Sequence, residues 1–131
     1  MTALSNYLEN ELIDHILRNA AYSSPGTAIW ISLYTNSQGD SDSGTEVSGS
    51  GYARIQCTGW DAPSNGATAN TAEIDFGTAS GGAWGTITSV GIKDSSTAGN
   101  LLFYGNLDSP KTVNDGDGFK FAAGDLDVTL A

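Results

Sequence analysis

The chain has 131 residues, with fifteen Asp and Glu against five Lys and Arg, a formal net charge of −10, one His and one Cys. A single Cys excludes an internal disulfide framework, and one Cys with one His excludes a structural zinc site, which takes about four such ligands. The five basic residues stand nine or more positions apart and no apolar run is long enough to cross a bilayer, so neither nucleic acid nor membrane is expected as a partner.

Met1 to Asn6 carries no basic stretch, and Glu9, Glu11 and Asp14 interrupt the apolar residues that follow, so no signal peptide is expected and synthesis in a cytoplasm is. Leu4, Leu8, Leu12 and Ile16 recur every four residues, with Ile13, Leu17 and Ala20 alongside. This spacing predicts an amphipathic helix between residues 4 and 21. Asn6 or Ser5 can cap its start, Glu9 is placed as a capping-box partner of Asn6, and Pro25-Gly26 limits its continuation.

After Pro25 the period changes to two. In residues 27–35, Ile29, Ile31 and Leu33 fall on one face and Trp30, Ser32 and Tyr34 on the other. That strand is apolar on both sides, so one face needs a partner other than solvent, and a subunit contact would provide it. Residues 37–51 form the main long loop, rich in Gly, Ser and Asp, ordered only if something holds it. Further strands are predicted at 52–58, 72–76, 86–93, 100–107, 119–121 and 125–130, each bounded by Gly, Asn, Pro or Ser. Many short strands without a second helix for parallel crossovers predict a mainly β fold: an antiparallel, jelly-roll-like β-sandwich with one N-terminal amphipathic α-helix. The expected organisation is a single domain over 1–131, with the helix in 1–24 and the sandwich in 25–131.

The residues that could carry chemistry have plainer explanations. His15 is the only imidazole and sits four residues after Glu11, where an ordinary helix pair accounts for it. Ser50 lacks the first glycine of a nucleophile elbow, and Cys57 alternates onto the face of Ala53 and Ile55, as a small core residue does. The Asp40 and Asp42 segment has glycine at the wrong place for an EF-hand, Glu73 and Asp75 alternate with Ile74 and Phe76, and Asp115-Gly116-Asp117-Gly118 has turn composition. No catalytic, cofactor-binding or metal-ligating residue is therefore assigned, and no cofactor is expected. The candidate interface comprises Leu4, Leu8, Leu12 and Ile16 on the helix with Trp30 and Tyr34 on the following strand. A carbohydrate platform is the competing use of exposed Trp and Tyr.

Gly44-Thr45-Glu46-Val47-Ser48-Gly49 running into Gly51-Tyr52-Ala53-Arg54 is followed by Ala83-Trp84-Gly85-Thr86-Ile87-Thr88 and Gly99-Asn100-Leu101-Leu102-Phe103-Tyr104-Gly105. With Pro110-Lys111-Thr112-Val113, the stretch from Phe119 to Leu126 and the leading Ser5-Asn6-Tyr7-Leu8, this order resembles a family of small tailed-bacteriophage virion proteins. Many of its members are labelled tail fibre proteins. Cys57 and Thr58-Gly59-Trp60-Asp61 depart from the more regular apolar strand of that family. The resemblance implies a non-enzymatic virion structural protein, made in the cytoplasm of the bacterial host. A compact chain with neither heptads nor β-helical repeats suits a capsid decoration or cement protein, bound to the major capsid protein as a symmetric homo-oligomer such as a trimer. The alternative is a tail fibre or baseplate protein contacting other tail proteins, or a glycan-binding module for host attachment.

Overall fold

The computed structural model describes residues 3–130; Met1, Thr2 and Ala131, at the ends of the expected domain, lie outside the described residues. Among those described, the elements follow as β1 (Ala3–Leu4), α1 (Asn6–Leu17), β2 (Trp30–Tyr34), β3 (Ile55–Gln56), β4 (Ala67–Ala69), β5 (Ile74–Thr78), β6 (Gly85–Lys93), β7 (Leu101–Val113), β8 (Gly118–Phe121) and β9 (Asp127–Thr129). Every strand pairing is antiparallel. One sheet has the order β1-β7-β6-β2-β3, and two smaller pairs, β4-β9 and β5-β8, complete the strands. The fold is mainly β and sandwich-like, with one helix.

Register explains the core. Ile31 stands opposite Ile92 and Leu33 opposite Val90, which puts four apolar side chains on one face of the large sheet. Phe76 from β5, Phe119 and Phe121 from β8 and Val128 from β9 join that cluster, so the small pairs cover this face. Phe76 meets Phe119 and Phe121 edge-on at 5.9 and 6.4 Å, and Tyr52 stacks on Phe76 at 6.2 Å. Such ring pairs contribute about 0.5–1.5 kcal/mol each beyond area burial. Asn70, fully buried, ties the small pairs together: its amide donates to the carbonyls of Ala72 and Ala122 at 2.7 and 2.9 Å and its oxygen accepts from Leu126 N at 2.9 Å.

The opposite face of the large sheet carries Ser32, Tyr34, Ser89, Gly91 and Lys93, and it is covered from within the chain. The loop expected at 37–51 supplies the cover. Its return arm runs beside the end of β2, where Thr35 N donates to the Thr45 carbonyl and Val47 N to the Leu33 carbonyl, both at 3.0 Å. Gln38 is buried at its centre, its N–H donating to Ser89 Oγ at 3.0 Å while its side-chain oxygen accepts from Gly39 N and Gly44 N at 3.1 and 2.6 Å. A Cβ on Gly44 would come within 2.8 Å of both Gln38 Oε1 and the Tyr34 ring, so only glycine lets the loop close here. Lys93 Nζ, buried, is neutralised by Asp42 Oδ2 of the same loop at 2.7 Å. The partner expected from another subunit at Tyr34 is thus this loop, and Tyr34, 1% exposed, is corrected from an interface residue to an interior one.

The leading segment also differs from expectation. Leu4 is not helical: with Ala3 it forms β1, paired with Phe103 and Tyr104 of β7, and the extended backbone of Ser5 (ψ 159°) lets the helix begin only at Asn6. Ser5 is the cap, accepting from Leu8 N at 3.2 Å and donating through its hydroxyl to the Leu101 carbonyl. Asn6 N instead donates to the Asp40 carbonyl at 2.9 Å, so the capping box of Asn6 with Glu9 does not form. The helix ends at Leu17, short of residue 21, because Asn19 adopts a left-handed φ of 54° and returns Ala20 N to the Asp14 carbonyl at 3.1 Å.

Strand lengths shift for similar local reasons. β3 is shorter than 52–58 because the Tyr52 backbone is drawn into a turn, its N–H donating to the Gly49 carbonyl at 3.0 Å. β7 runs beyond residue 107 by bulging: Ser89 pairs with Asn106 and Ile87 with Lys111, leaving Leu107 to Pro110 opposite Thr88 alone. A bulge admits Pro110, which has no N–H to give a ladder.

Candidate functional site

The six interface residues do not come together on one surface. Leu4 is half-buried in β1, Leu8 is buried and Leu12 half-buried on the helix, whereas Ile16 points outward. Tyr34 lies beneath the loop, and its phenol is hydrogen-bonded to Ser32 Oγ at 3.0 Å. Burial pushes the Tyr34 pKa up to about 12. Trp30, half-buried, lines an open groove of about 530 Å³ together with Glu46, Tyr52, Arg54 and the turn at Ser96–Ala98.

Electrostatics in this groove are internally balanced. Arg54, buried, places Nε and Nη2 on the two oxygens of Glu46 at 2.8 and 2.7 Å, and Nη1 donates to the carbonyls of Ser95 and Ala98 at 2.8 Å each. The Glu46 carboxylate holds the guanidinium pKa above its ordinary value. Tyr52 donates to Glu46 Oε1 at 2.9 Å and accepts from Leu33 N at 3.0 Å, and burial raises its pKa well above 10. Glu46 therefore receives three hydrogen bonds and Arg54 gives four, which leaves the carboxylate poorly placed to act as a general base. The arrangement clamps the β6–β7 turn onto the end of the long loop. The turn itself is closed by Asp94, which accepts from Asn100 N at 2.7 Å.

The remaining chemical candidates occupy structural positions. His15 is exposed, with Nδ1 3.0 Å from the Ala20 carbonyl at the helix end rather than bonded to Glu11. Cys57 is a buried free thiol in the core cluster, as its alternation with Ile55 predicts, and burial pushes its pKa up. Ser50 offers its carbonyl to Trp84 Nε1 at 2.9 Å. Asp75, Asp117 and Asp125 accept from the backbone N–H groups of Gly77, Asn114 and Ala122 within 3.2 Å, a turn-forming use of a carboxylate. Glu73 and Asp75 are exposed beside buried Ile74 and Phe76, and Glu73 pairs with Lys120 at 3.3 Å. Among the described residues, no three His, Cys, Asp or Glu side chains gather as metal ligands, and no helix is long and apolar enough to cross a membrane.

Sequence patterns do not reveal Gln38, Asn70 or the Glu46–Arg54 pair, since each acts on partners distant in the chain. The family model described as Podophage GP4 fiber I protein gp80 matches residues 3–129. The chain belongs to this family. It is therefore related to bacteriophage virion proteins, as the order of its glycine-rich motifs implies. The match covers the helix, the long loop and all three sheets of this member of the gp80 fibre family. No curated protein matches the chain.

Proposed function

We propose that the chain is a non-enzymatic structural component of a podophage tail fibre, held in the virion by contacts with other tail proteins. The observation that carries this reading is the family match across residues 3–129, whose description names a fibre protein. It favours the tail over the head surface, reversing the order in which the compact sandwich alone ranks them. Support for a structural role comes from the groove at Trp30, where Glu46, Tyr52 and Arg54 satisfy one another. Electron microscopy of particles labelled with an antibody against this chain tests the location. Label at the tail is the expected result; label distributed over the head lattice would restore the capsid-decoration reading and overturn this one.

A further inference from the structure

Past Leu12 the helix α1 carries an apolar turn that its own domain leaves uncovered: Ile13, Ile16 and Leu17 are 53%, 71% and 78% exposed. At spacings of three and four they form one stripe. Leu8 and Leu12 lie on the flank of that stripe turned towards the domain. Asp14 and Arg18, each about 100° round the helix from Ile13 and Leu17, form the opposite flank. Asp14 is half-buried and Arg18 exposed, and they pair with each other at 3.3 Å.

An apolar stripe flanked on one side by an acid and then a base, four residues apart, is self-complementary when two such helices run antiparallel. A two-fold axis near Ile16 sets Ile13 of one copy towards Leu17 of the other and brings each Asp14 against the opposite Arg18. In a parallel pair or a three-fold bundle the charged flank of one helix meets the domain flank of the next, and this complementarity is lost. We propose that a second copy of this chain docks on the stripe, through an isologous antiparallel pair of the C-terminal halves of α1. Three side chains from each copy fall short of the roughly 800 Å² per partner of a standard stable interface. The pair is consequently weak in dilute solution and gains from the effective concentration of copies held on one particle. It stands independently of where on the particle the protein sits.

Cross-linking tests this directly. A disulfide demands Cα atoms about 5.5–6 Å apart, a condition met beside the two-fold axis. Ile16→Cys, in Cys57→Ala and in wild-type Cys57 backgrounds, should give a disulfide-linked dimer on oxidation of concentrated protein, several-fold more than the exposed control Leu130→Cys. Arg18→Asp should lower that yield several-fold, and the exchange Asp14→Arg with Arg18→Asp should restore it. Ile16, Arg18 and Leu130 are exposed and Asp14 is half-buried, and circular dichroism verifies that each variant folds. Equal yields from positions 16 and 130, an unaffected Arg18→Asp variant, or an exchange that fails to restore the dimer would each overturn the pair. Such failure leaves the fibre reading untouched, since particle microscopy decides that separately.

Discussion

Tyr34 shows how a single side chain couples the interior of this fold to pH. In the unfolded chain its phenol ionises near the ordinary 10.0, whereas burial holds the folded value at about 12. The folded state therefore keeps its proton more tightly, and this contribution to stability is complete below pH 10 and lost as pH rises towards about 12. Tyr52 shifts in the same direction for the same reason. Tyr34→Phe should lower stability at neutral pH by about 1 kcal/mol, through loss of the Ser32 hydrogen bond, yet lose less on going to alkaline pH than the wild type. Urea unfolding midpoints across that range measure both effects, and an alkaline loss as large as that of the wild type would contradict the account.

At the scale of elements, α1 divides into a half that belongs to the domain and a half that does not. Leu8 is buried against the sheet, so Leu8→Asp should cost about 3–5 kcal/mol and leave the chain unfolded or aggregated. Ile16→Asp lies in solvent and should change monomer stability by about 0.5 kcal/mol or less. Thermal melts of the two variants, with equal losses as the contrary result, decide whether the helix is divided in this way. Alternation makes β8 legible in the sequence because only its Phe119 and Phe121 face is buried, β6 is legible from the spacing of Ile87 and Ile92 between glycines although both its faces are covered, and the helix is legible from its 3.6-residue stripe. Leu4 is misleading because its spacing from Leu8 fits a helix as well as an approach to one. β4 lacks apolar alternation, and its true signal is Asn65-Gly66, whose φ values of 53° and 75° make the two-residue turn between Ser64 and Ala67. The groove at Trp30 is illegible for a different reason: its walls come from residues 30, 46–49, 52–54 and 96–98, joined only by the closing of the sheet.

For the whole molecule, one cluster of buried residues joins strands from all three sheets, with Ile31, Phe76 and Val128 all within it. Loss of any one layer exposes the apolar face of another, so the chain should melt in a single cooperative step. Calorimetric and van't Hoff enthalpies that agree, with coincident near- and far-ultraviolet dichroism, are the expected outcome; two resolved transitions would divide it into separately folding parts. Helix and sheet share that fate at one end only: Ser5 is anchored to Leu101, while the end at Leu17 projects free of the core.

The turn at Asn65-Gly66 also sets a chemical clock. Both residues are exposed, and glycine puts little bulk in the way when its backbone nitrogen attacks the preceding side-chain amide. Ring closure expels ammonia, and reopening leaves aspartate or its isomer with an extra methylene in the main chain. The Gly66 carbonyl accepts from Leu130 N at 2.7 Å, next to the β4–β9 ladder, so a lengthened backbone there would pull that ladder out of step. A particle outside its host makes no replacement copies. The time such a particle spends outside would be recorded, molecule by molecule, in the ageing of this one bond.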